Sequence, residues 1–141
     1  MTTDNAILVW LVGALAGSML FFALVVTPKV FRTLAPEQAG AFLRSLFPAY
    51  YLWGVALALA SFVIALWSHL FVSLACATVA VLFAYAHQIL MPKIGKARDA
   101  RARAEEGAGE RFSRLHRQSV IINGVQLVIL LVVAASLLWM V

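Results

Sequence analysis

The stretch "RLHRQSVIINGVQLVILLVV", Arg114 to Val133, decides the fold. Its second half is apolar enough for lipid, while its first half carries His116, Ser119, Asn123 and Gln126 at steps of three, four and three. Those steps put all four on one face of a helix, because positions three and four apart are surface neighbours. A helix that is apolar apart from a single polar seam belongs in a membrane bundle, with the seam turned toward other helices.

Working outward, three more runs have spanning length, giving expected spans at about 6–27, 47–67, 70–91 and 116–141. At about 1.5 Å per residue each crosses a hydrocarbon layer of roughly 30 Å. Of the 141 residues, 64% are hydrophobic and 12% charged, with a mean hydropathy of +0.95, more than a soluble domain of this size can hide in one core. The runs lack the alternation of a transmembrane barrel. The expected fold is therefore all-α: a polytopic four-helix membrane bundle forming one domain over 1–141. The opening "MTTDNA" has no positive charge, so the first run reads as a retained helix and not as a signal peptide. The lone cysteine, Cys76, sits in the third span as a small packing residue and excludes an intrachain disulfide.

The basic residues sort cleanly. Lys29, Arg32 and Arg44 lie between spans one and two, and the other eight run from Lys93 to Arg117. By the positive-inside rule both basic connections face the cytoplasm and both termini lie outside, on the periplasmic side of an inner membrane. The pI near 10.0 reports this topology, and nucleic acid is not an expected partner. In the first connection Pro36 restarts the chain, and Ala39, Phe42, Leu43, Leu46 and Phe47 at helical spacing predict a short interfacial helix ahead of span two. The second connection, 92–115, is rich in Ala, Arg and Glu and interrupted by "GAG" at 107–109, which predicts helix, break, helix, with Asp99 paired to Arg103. Its basic run from Lys93 to Arg117 could meet anionic lipid, although a solvated extension of two helices is the simpler reading.

A faint repeat runs through the chain. "TPKVF" from Thr27 matches "MPKIG" from Met91, and at a separation of 70 Phe42 meets Phe112, Arg44 meets Arg114 and Gly54 meets Gly124. Both Pro-Lys copies leave their spans on the same side, which implies two parallel helix-pair repeats about an axis along the membrane normal. Gly13 and Gly17 form a Gly-x-x-x-Gly pair expected to pack against a helix of the same chain, with Gly54 and Gly124 as further packing positions.

Polar stripes recur in the other spans. Tyr50, Gly54, Ser61 and Ser68 share one face of span two, and Thr78, Tyr85, Gln88 and Pro92 share one of span three. They are expected to meet the seam of span four, either as interhelical hydrogen-bond glue or as a polar pocket opening to the cytoplasm. No Asp, Glu, Lys or Arg lies within a membrane core, so a carboxylate relay for ion coupling is missing. No Ser/His/Asp set, carboxylate pair or Gly-rich phosphate loop supports an enzyme, and no catalytic residue is assigned. No cofactor is expected. Haem is the alternative, through His87 and His116, although His87 lies on the Cys76 and Ala80 face, away from Gln88. The scattered methionines argue against copper.

Together, "VFRTLAPEQAGAFLRSLFPAYY", "LMPKIGKARD" and "FSRLHRQSVIIN" resemble the four-helix membrane proteins typified by transmembrane protein 205, whose bacterial relatives form a domain family of unknown function. The resemblance covers nearly the whole chain and maps that group's pattern onto Pro28, Phe31, Arg32, Phe47, Pro48, Tyr50, Tyr51, Pro92, His116 and Asn123. It implies fold and membrane residence, and no reaction. "PKVF" is also similar to the copper resistance D group and its haem-pathway relatives, which implies the haem or metal alternative. The leading expectation is a non-enzymatic, self-associating inner-membrane protein that binds or passes a small solute or lipid headgroup. Its pocket candidates are His116, Asn123, Ser119, Gln126, Gln88, Tyr85, Arg32, Tyr50, Tyr51, Pro28, Pro48 and Pro92. A structural partner of other membrane proteins is the third reading.

Overall fold

The first helix starts where Thr2 accepts the Asn5 N–H on its hydroxyl at 3.3 Å, satisfying one of the donors that a helix start leaves free. In this computed structural model, which describes residues 2–140, four helices are long and apolar enough to cross a membrane. They are α1 (Thr3–Thr33), α2 (Pro36–Ala65), α3 (Leu70–Ala102) and α4 (Ala108–Trp139). The expected limits at Met1 and Val141 lie outside the described residues. Helix α1 packs on α2 and α4, and α3 on the same two, so the helices form a square with α1 opposite α3 and α2 opposite α4. This ring of neighbours is unchanged when the first pair is exchanged for the second, as a two-fold axis along the bundle requires.

Only 22% of the most apolar stretch in α1, α2 and α4 is buried, and 39% in α3, so most apolar side chains point outward. In water such a surface would aggregate; in a bilayer it is the solvated face. The molecule is a multi-pass membrane protein. Leu8, Leu15, Val79, Phe83, Leu130 and Val133 fill its core. Trp67 and Trp139 stand almost fully exposed at the end opposite the basic residues, where an interfacial ring is favourable.

Two turns depart from α geometry in the same way. In Phe22–Val26 and Ala86–Leu90 the backbone widens to a π turn, closed by Thr27 N–H on the Phe22 carbonyl and by Met91 N–H on the Ala86 carbonyl. Each is followed, one residue further on, by proline, Pro28 and Pro92. A proline ring inside an α-helix collides with the carbonyl four residues earlier and donates no hydrogen bond, and a widened turn relieves both problems. The repeat is therefore expressed at its Pro-Lys copies. It is not expressed at the paired glycines, since Gly54 is buried and Gly124 exposed.

The structure corrects several expectations. The segment from Pro36 is no separate interfacial helix: α2 runs unbroken from Pro36 to Ala65 through the exposed Pro48. Its apolar face finds protein instead of the interface, because Ala39 and Leu43 pack with Val30 against the end of α1. Asp99 does not pair with Arg103, which already lies beyond the helix and bonds Glu105 at 2.8 Å; Asp99 meets Arg44 at 3.7 Å. The break between the basic helices comes at Arg103–Gly107, and Gly107 at φ 71 occupies the left-handed region that glycine adopts without strain. Gly13 and Gly17 pack on no helix of this chain, since both are exposed with nothing within 4 Å of an added Cβ.

Candidate functional site

The seam of α4 enters the bundle at three of its four positions. Gln126 is fully buried and donates from Nε2 to the Val79 carbonyl at 3.3 Å. One turn along, Asn123 accepts the Tyr50 hydroxyl on Oδ1 at 3.2 Å. Ser119, one turn further toward the basic end, lies beside the Tyr51 hydroxyl. His116 has left the interior: it is exposed and stacks parallel on Phe112 of its own helix, with ring centroids 5.9 Å apart.

Tyr50 and Asn123 belong to opposite helices of the square, so their hydrogen bond crosses the middle of the bundle. Both π turns supply a ring at this level. Phe22, from the first, stacks on Tyr50 with centroids 4.4 Å apart; His87, from the second, faces Tyr51 at 6.3 Å. Phe83 presents its edge to both tyrosines at 6.1 and 6.2 Å. It fits only because residue 54 is glycine: a Cβ there would stand 2.7 Å from the Phe83 ring. Two phenols, an amide and a hydroxyl thus meet inside an aromatic shell, a centre that can exchange hydrogen bonds with a polar guest while staying uncharged.

The stripe expected on α3 does not face this centre. Thr78 and Gln88 are exposed, as are Pro92 and Ser68, whereas Val79, Phe83 and Ala86 form the inward face. Thr78 needs no partner helix, because its hydroxyl bonds the Leu74 carbonyl of its own helix at 2.9 Å. Tyr85 is half-buried and accepts Gln118 Nε2 at 3.3 Å. Arg32 and Pro48 are exposed, and Pro28 is half-buried. Phe22, Phe83 and Gln118 were not singled out from sequence; the aromatic run around Tyr50 and Tyr51 was the available signal for a ring cluster.

Beyond the centre, α3 and α4 extend past the hydrophobic spans and stay packed on each other. Between them lies a cleft of about 370 Å³ lined by Lys93, Lys96, Arg111 and Arg114 over Ala97 and Leu115. Leu115 is four residues before Ser119, so cleft and seam share one face of α4. The neighbouring basic side chains are engaged. Arg98 donates to the Gly40 carbonyl at 3.3 Å, and Arg101 lies over the Phe112 ring at 4.1 Å. Partial burial, with Arg44 nearby, lowers the Arg98 pKa below its ordinary value, but a guanidinium stays charged under any physiological condition.

These features define a class: an α-helical multi-pass membrane protein with an uncharged, hydrogen-bonded polar centre and a basic cleft at one end. The chain belongs to the family described as domain of unknown function DUF4149, which matches residues 10–103. The match spans α1 to α3 and stops before α4, which carries the seam. No curated protein and no solved structure matches the chain.

Proposed function

We propose that the protein resides in an inner membrane with its basic end in the cytoplasm, and binds or passes a small polar ligand at the centre formed by Tyr50, Tyr51, Ser119 and Asn123. The observation carrying this reading is the Tyr50–Asn123 hydrogen bond, which joins opposite helices at the level of two π turns. Such turns gather at functional sites, where a wider ring lets a helix change its local geometry at low cost. A ligand hydroxyl or amide arriving from the basic end would trade bonds with the phenol and the amide one for one. The resemblance to the transmembrane protein 205 group supports membrane residence and supplies no reaction.

The haem alternative draws less support from the residues. Half-buried His87 lies against Tyr51, whereas His116 is exposed and stacks on Phe112 of its own helix, so the two imidazoles have different surroundings. Self-association belongs to the proposed reading, with Gly13 and Gly17 the outward face on which a second helix could approach closely.

The test is mass spectrometry of the intact protein released from its own membrane in mild detergent. Asn123→Leu and Tyr50→Phe should each remove a retained small molecule while circular dichroism and monodispersity stay unchanged. If the bond is glue alone, Asn123→Leu lowers stability by about 1 kcal/mol and the retained species are the same as in the parent.

A further inference from the structure

We infer that the cleft between the extensions of α3 and α4 is a binding site for a phosphate group, held by Lys93, Lys96, Arg111 and Arg114. The inference goes beyond the polar centre and does not depend on it. The positive-inside rule asks only that cations lie on one side of the membrane; it does not ask them to converge. Here four exposed cations from two helices border one open hollow, their aliphatic stems forming its walls. Among the described residues two ion pairs form, Arg44–Asp99 and Arg103–Glu105, and neither uses a cation of the cleft. No carboxylate lines it, and Glu110, in the adjoining hollow, stands with Arg114 alone of the four, so the border carries a net positive charge. An anion with several acceptor oxygens resolves that: two guanidinium forks and two ammonium groups match a phosphate, which accepts from all of them.

The cleft also has the right depth. Lys93 follows the proline that closes the third span, and Arg114 precedes the first seam residue of α4 by two positions, so the cations stand at headgroup level. Ala97 and Leu115 give it an apolar floor. A lipid phosphodiester or a soluble phosphate would satisfy the same chemistry.

The experiment uses the full chain in mild detergent with equal amounts of phosphatidylglycerol and phosphatidylcholine, read by native mass spectrometry, with inorganic phosphate added in a second arm. The anionic lipid should be retained about tenfold over the zwitterionic one. The variant Lys93→Gln/Lys96→Gln/Arg111→Gln/Arg114→Gln should lose that preference. The charge-matched control Lys29→Gln/Arg32→Gln/Arg44→Gln/Arg103→Gln should keep it. Displacement of the lipid by inorganic phosphate would show the phosphate itself to be the recognised group. Phosphate binding with neither lipid retained would assign the site to a soluble ligand. Equal losses in the two four-fold variants would mean diffuse charge and overturn the inference, as would absence of both anions from the parent protein. Should the cleft variant fail to fold, parent protein that keeps its lipid in phosphate but loses it in the same ionic strength of chloride would refute the site. Asn123→Leu should leave cleft binding intact, which separates this outcome from failure of the polar-centre reading.

Discussion

Gly54 shows how much a single absent methyl group can decide. Phe83 is fully buried and held edge-on by Tyr50 and Tyr51, so its ring cannot retreat from a new Cβ placed 2.7 Å away. Gly54→Ala should lower stability in detergent by about 1–3 kcal/mol, the usual cost of overpacking a filled core. Gly13→Ala and Gly17→Ala should change it by less than about 0.5 kcal/mol or raise it slightly, because their sites are open and alanine favours the helix. Thermal unfolding of the three variants side by side checks both statements. The inward turn of Asn123 and Gln126 was legible in sequence because an amide in a long apolar run has few places to go. The departure of His116 was not: it lies two turns nearer the basic end than Asn123, where water can replace a protein partner, so periodicity alone does not fix its neighbour.

At the scale of elements, the four helices were legible from length and hydropathy, since in lipid each span must satisfy its own backbone. The failures occurred where side chains could find partners by more than one route. The face of Pro36–Phe47 read as interfacial packs on α1, and the threonine of the α3 stripe is satisfied within its own helix. The π turns were foreshadowed by "TPK" and "MPK" without being deducible, because a proline can also kink or end a helix. A π turn holds one residue more than the α turn it replaces, which makes a sharp prediction possible. Deleting Ile89 inside Ala86–Leu90 should leave a folded protein, with the turn relaxed to α geometry and the register beyond it nearly kept. Deleting Leu74 from the regular part of α3 should rotate everything after it by about 100°, turn Phe83 away from Gly54 and yield aggregated or unstable protein. Size-exclusion profiles and helical melting of the two deletions distinguish them, and equal damage from both would remove the widened turn from the account.

For the whole molecule, the ends of the bundle differ in kind, and that difference carries the topology. Every lysine and arginine lies in the connections around Lys29–Arg44 and Lys93–Arg117, which the Arg44–Asp99 pair and the Arg98–Gly40 bond gather at one end. The opposite end holds the start of α1 and the α2–α3 turn, tied by the 2.6 Å contact of His69 Nε2 with Asn5 Oδ1 and free of lysine and arginine. Moving eleven cations across a bilayer is far costlier than moving the single nearby carboxylate, Asp4, so the chain should insert with the basic end retained in the cytoplasm. In a Cys76→Ala background, a cysteine at Thr3 should react in intact cells with a thiol reagent that cannot cross the membrane. A cysteine at Glu106, exposed in the break between the basic helices, should react only after permeabilisation. Because both positions are exposed, a difference between them reports sidedness and not burial. Labelling of Glu106→Cys before permeabilisation would turn the bundle over, placing the basic cleft on the outer face.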